Sequence, residues 1–156
     1  VTAPHPVPLA ASALYQLVAA AAAPQRERLR VDFGDPGEFE EPDALSIALA
    51  VRAPESITGT PRRGLGQEFL PYDIGCTAQS WGGDDNETPA LARMVRVFEL
   101  VDLVRDVCRA RRDLGLTRQV REASVSREAY SQIPMERGEL ALVEFVVHIE
   151  AYRPRR

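Results

Sequence analysis

The chain contains no lysine: all 19 of its basic residues are arginine. A high-GC coding sequence accounts for that bias and gives no reason to look for guanidinium chemistry. Cysteine is scarce, with only Cys76 and Cys108. They form no CxxC pair and have no histidine partner nearby, so neither a disulfide scaffold nor a zinc site is indicated. Both read as small buried hydrophobes in a reducing compartment, one on a strand and one on a helix, with a bridge between them the less favoured alternative. Histidine is limited to His5 and His148, and no long run of like charge occurs. The net charge of −4 excludes a chain that is, as a whole, an electrostatic magnet for DNA or acidic membranes. Val7 to Pro24 carries no charge, but no basic residue precedes it, and Ser12 and Gln16 interrupt its alanines. It reads as an amphipathic helix with Leu14, Leu17, Val18 and Ala21 at helical spacing, and no signal peptide or membrane partner is expected. No internal repeat is present.

The residues that remain suit a single globular domain over 1–156. An extended, proline-rich lead-in (1–8) is followed by a helix from Pro8 to Ala23. Short strands are expected over Arg28–Phe33 and Ala44–Val51, separated by the turn Asp35-Pro36-Gly37 and the acidic run Glu38, Glu40, Glu41. The segment 53–67 has no apolar period and is long for a loop inside a compact domain, a feature of functional or partner-ordered segments. Glu68–Trp81 alternates as a strand, with Pro71 predicting an edge or bulge near its start. A long helix follows from Glu87 to Arg112, with Pro89 in its first turn. Ala90, Met94, Val97, Val101, Val104 and Cys108 form its main apolar stripe. Leu100, Leu103 and Val107 form a second stripe, and Glu99, Asp102, Asp106 and Arg109 the wet side. Gly115 is placed as a left-handed cap. Arg118–Tyr130 alternates poorly, as an edge strand does, whereas Glu139–Tyr152 alternates cleanly through Ala141, Val143, Phe145, Val147, Ile149 and Ala151. The tail 153–156 reads as loose. This order predicts an α+β fold: a mainly antiparallel sheet of four to five strands with two helices packed on one face.

Catalytic chemistry finds little footing. Neither histidine sits in a context that would activate a serine or cysteine. Asp84, Asp85 and Glu87 form the one dense oxygen cluster and keep open a remote reading as a small metal-dependent hydrolase. The cluster fails the calcium-loop spacing, however, and capping of the long helix explains it. Gly64-Leu65-Gly66 lacks the strand, turn and lysine of a phosphate loop. The arginine clusters have no interleaved aromatics. The expected result is a protein that is not an enzyme and takes no cofactor and no metal.

One segment has a recognisable order. The strand Tyr72-Asp73-Ile74-Gly75-Cys76-Thr77-Ala78-Gln79-Ser80 leads into the corner Trp81-Gly82-Gly83-Asp84. A helix carrying Ala92-Arg93 follows, then Leu114-Gly115-Leu116, a strand from Val120 to Tyr130, Gly138 and the final strand Ala141-Leu142-Val143-Glu144-Phe145-Val146-Val147. This resembles the tail-terminator (tail-completion) proteins of long-tailed phages with non-contractile tails, the siphophages, especially those of actinobacteria. The resemblance covers about residues 29–152.

It implies a virion protein at the head-proximal end of the tail, assembled in the host cytoplasm as a homohexameric ring. Such a ring stops polymerisation of the tail tube protein, meets a head-completion (neck) protein, and lets DNA pass through its lumen unread. Within that family expectation, Leu100, Leu103 and Val107 with Arg93, Arg96, Asp102 and Arg105 are candidates for the contact between subunits. Glu38, Glu40, Glu41 and Asp43 are candidates for an acidic lumen. Ile57, Arg62, Arg63 and Leu65 are candidates for contact with tube or neck. A neck protein, adaptor or stopper, is the alternative within the same particle.

Overall fold

A computed structural model describes residues 5–53, 67–82, 90–136 and 138–154. Helix α1 runs Pro6–Ala22 and tightens into a short 3₁₀ turn, Ala23–Gln25. The strands are β1 Leu29–Phe33, β2 Asp43–Arg52, β3 Gln67–Trp81, β4 Val120–Pro134 and β5 Glu139–Pro154, with α2 Ala90–Ala110 between β3 and β4. They form one five-stranded sheet in the order β1-β2-β3-β5-β4. All ladders are antiparallel except β1–β2, which is parallel. The sheet is thus mostly antiparallel, with both helices on one face, as the element order predicts.

Helix α1 begins earlier than Pro8 because Pro6 and Pro8 occupy its first turn, where no N–H is required. The Val7 amide donates to His5 Nδ1 at 3.2 Å, which makes the lead-in histidine a cap. Val7, Ala10, Leu14, Val18 and Ala22 form a buried stripe. By length and composition Pro6–Gln25 could cross a membrane, but here that stripe lies in the protein core. Helix α2 packs on β3, β4 and β5, and α1 on β1, β2 and β5, so the two helices tile the sheet side by side.

The connection 34–42 returns the chain from the end of β1 to the start of β2, which makes that pair parallel. Its turn is closed by the Gly37 amide donating to Asp35 Oδ1 at 2.9 Å, and Gly37 takes a left-handed φ of 64°. Gly115 takes the expected left-handed φ of 76° but lies beyond the end of α2 at Ala110, in the turn that leads toward β4, so it does not cap the helix.

The poor alternation of β4 has a physical cause. Two bulges, between Val120 and Glu122 and between Ser126 and Ala129, re-aim its side chains, and it is an edge strand. Pro71, by contrast, marks no bulge: it pairs in register with Glu150 of β5. Described pairing with β2 stops at Asp73, so on that side Pro71 meets no ladder requiring an N–H.

One core lies between helices and sheet. It joins Leu14 and Val18 of α1 with Val97, Leu100, Val101 and Val104 of α2, and with Ile74, Phe145, Val147 and Ile149 of the sheet. Cys76 and Cys108 are both buried in it and unbonded.

Candidate assembly surfaces

Two ion-paired joints fix α2 over the sheet. At the start of β2, Asp43 is 1% exposed; Ser80 Oγ and Arg96 Nε donate to its two oxygens, each at 2.8 Å. Arg96 also donates to Gln25 Oε1 at 2.6 Å, so one guanidinium ties α2 to β2 and to the turn after α1. Arg93, one turn earlier and 8% exposed, donates to Glu139 Oε2 at 3.0 Å, and Gln132 donates to the same oxygen. Gly82 makes room for this: a Cβ there would lie 2.0 Å from Arg93 Nη1.

These joints revise part of the expected surface. Asp43 is committed to Ser80 and Arg96 inside the protomer, so it cannot line a lumen. Leu100, at 1% exposure, belongs to the core and has nothing to offer a neighbour. Ala90 and Met94, expected in the core stripe, are exposed instead. The stripe that packs on the sheet is Val97, Leu100, Val101, Val104 and Cys108.

Three surfaces stand out. The first is a groove of about 570 Å³ between α1 and α2. Leu103 and Val107, half-buried, form its apolar floor; Glu99, Asp102 and Asp106 rim it. Arg105, beside the rim, bonds Asp102 Oδ1 at 2.6 Å and reaches Glu128 of β4. Of the expected contact residues, Arg96, Asp102, Leu103 and Val107 therefore come together here, whereas Arg93 lies apart at the sheet joint.

The second surface is apolar and was not picked out from the sequence. Leu91 is 69% exposed, Val95 50% and Met94 36%. Their i, i+3, i+4 spacing continues to Phe98, which stacks on Tyr130 of β4 with ring centroids 6.0 Å apart. At the same end of the sheet, Trp81, Leu140 and Ile133 are cross-strand partners in one row of the outer face. The Leu91–Val95–Phe98 periodicity was legible in the sequence, but the stronger core stripe masks it.

The third is the face of the sheet that no described helix covers, which holds an open cavity of about 680 Å³ lined by Leu49, Gly75, Thr77 and Val146 among others. Bulges flank it on both sides, with Ala48 (φ 62°) on β2 and Arg127 (φ 53°) on β4 in left-handed conformations. Beside it Asp73 pairs with His148 Nδ1 at 2.8 Å and with Arg127 at 3.4 Å. His148 is thus ion-paired or hydrogen-bonded to Asp73, with Ser124 its cross-strand partner on β4.

Of the acidic candidates, Glu38 and Glu40 are exposed on the connection 34–42 and Glu41 is half-buried. Ile57, Arg62, Arg63 and Leu65 lie outside the described residues, as do Asp84, Asp85 and Glu87. Among the described residues, no three His, Cys, Asp or Glu side chains come together as metal ligands. Burial pushes the Cys76 thiol up to about 12 and the Cys108 thiol to about 11, the reverse of an activated nucleophile.

No protein-family model matches the chain, and no curated protein matches it. Among solved structures, it is similar to one described as the PVC sheath/tube terminator of an extracellular contractile injection system in its extended state. The TM-score is 0.40 at 10% sequence identity, over 89% of this chain and 56% of that one.

Proposed function

We propose that this chain is a structural subunit of a phage tail, a terminator that forms a homohexameric ring on the head-proximal end of the tail tube. In this reading the ring stops tube polymerisation, presents a surface to a head-completion (neck) protein, and passes DNA through its lumen. The element order that carries the family resemblance supports it, as does the siphophage-like strand, corner and helix from Tyr72 onward. The observation that carries most weight is the row Leu91, Met94 and Val95, apolar side chains left in water by a lone protomer. Exposed residues at this spacing fit a helix face that another chain covers. The Leu103 and Val107 groove supplies a different patch. In a closed ring of identical subunits that groove meets an unlike patch of the next subunit at every interface, which leaves the Leu91 row for tube or neck.

Glu38, Glu40 and Glu41 are assigned to the lumen, where like charge repels phosphate and keeps the channel from holding DNA. The loop with Ile57, Arg62, Arg63 and Leu65 is assigned to tube or neck contact. The test is to image the pure protein by negative stain, alone and with polymerising tube protein. Six-fold rings at tube ends are expected. A protein that stays monomeric and leaves tube length unchanged refutes the proposal.

A further inference from the structure

The groove between α1 and α2 has an acidic rim that its own protomer compensates only in part. Its floor is apolar, and its rim carries Glu99, Asp102 and Asp106, whose side chains are 58%, 61% and 75% exposed. Partners within the protomer are few. Glu99 meets Arg96 at 3.4 Å, but that guanidinium is already held by Asp43 and Gln25. Asp106 meets Arg109 only at 4.0 Å, in full water. Asp102 is better paired, to Arg105.

Beyond the end of α2 the sign reverses. Arg111, Arg112 and Arg118 are exposed, and none forms an ion pair among the described residues. They bracket the turn whose half-buried Leu116 gives it an apolar element as well. One protomer therefore carries an acid-rimmed apolar groove and, separately, a basic turn of matching chemistry.

We infer that the occupant of the groove is a second copy of this chain, seated through its Arg111–Arg118 turn, in a contact fixed by charge. The inference rests on the self-association proposed above and names the two patches that meet. Groups of this kind set register and association rate more than affinity, and salt weakens them. The apolar floor contributes burial that salt leaves intact.

The test uses two charge-reversed full-length variants, Arg111→Glu with Arg112→Glu, and Glu99→Arg with Asp106→Arg. All four positions are exposed, so far-UV dichroism and melting temperature should match wild type. Association is followed by mass photometry and sedimentation at low and high salt. Each variant alone is expected to lose roughly tenfold or more in association, and a 1:1 mixture to recover it, because reversed groove then meets reversed turn. Variants that assemble like wild type overturn this inference and leave the ring proposal standing, as does a mixture that fails to recover. A wild type that stays monomeric at low salt overturns this inference, and the ring proposal with it if tube length is also unchanged.

Discussion

Asp43 opens β2 with both carboxylate oxygens occupied, by Ser80 and by Arg96, at a site closed to water. Replacing it with alanine leaves the buried Ser80 hydroxyl without its acceptor and the Arg96 guanidinium with only Gln25 and Glu99. Removing one partner of a buried pair costs about 3 kcal/mol or more. Asp43→Asn keeps one acceptor oxygen and should cost less, about half as much. Urea denaturation would show both as lower midpoints with unchanged slope; equal midpoints for Asp43→Ala and wild type would contradict this reading. Gly82→Ala acts on the neighbouring joint, because its methyl group needs the space held by Arg93, and should release the Glu139 pair. The thiols give a pH signature. Folding raises their pKa values from 9.0 to about 12 and 11. Above pH 9 the unfolded chain loses these protons while the folded chain keeps them, so stability falls as pH rises toward 11 to 12. The expected loss is on the order of 1 kcal/mol per thiol by pH 10, and absent in a Cys76→Ala, Cys108→Ala double variant compared with itself across the same range. Thiol reagents at pH 8 should label the native protein slowly and the unfolded protein at once.

At the level of elements, α2 decides most. Val101 is fully buried between α2 and the sheet, so Val101→Asp places an unpaired carboxylate in the core and should cost more than about 4 kcal/mol. Leu103 is only half-buried on the groove floor, so Leu103→Asp should leave a folded protomer that associates poorly. Thermal melting and mass photometry together separate the two effects, and an equal loss of folding in both would rule out the division. Much of this was legible in sequence. Both helices and four of the strands follow from apolar period, β4 from its place between turn signals, and the Asp35-Pro36-Gly37 turn from residue type. Three features were not. The main stripe of α2 holds from Val97 to Cys108, but the period alone puts Ala90 and Met94 in the core and Leu100 outside it, because a helix on a flat sheet buries a band set by its neighbours. Parallel pairing of β1 with β2 depends on where the connection 34–42 returns, which no local period encodes. The β4 bulges shift facing mid-strand, so alternation there could show an edge but not a register.

For the whole molecule, the faces differ in kind. One side of the sheet is closed by helices, and the other holds an open cavity between two bulges. The Leu91, Met94 and Val95 row lies at one end of α2, and the arginines without an ion pair among the described residues follow the other. A subunit with unlike surfaces at its two ends suits an assembly with polarity, as a ring between tube and neck must be. The groove and basic turn suit contacts around such a ring. Lumen acidity predicts that Glu38→Arg with Glu40→Arg leaves the fold intact but makes assembled rings retain DNA in a salt-dependent way, seen by filter retention. No retention at low salt would remove those residues from the lumen. The most direct measurement is negative-stain imaging of the purified wild-type protein with polymerising tail tube protein. The ring proposal predicts six-fold assemblies capping tubes whose growth has stopped, lost in a Leu91→Asp, Val95→Asp variant that still folds. Monomers, uncapped tubes of unchanged length, or caps untouched by that variant would contradict it.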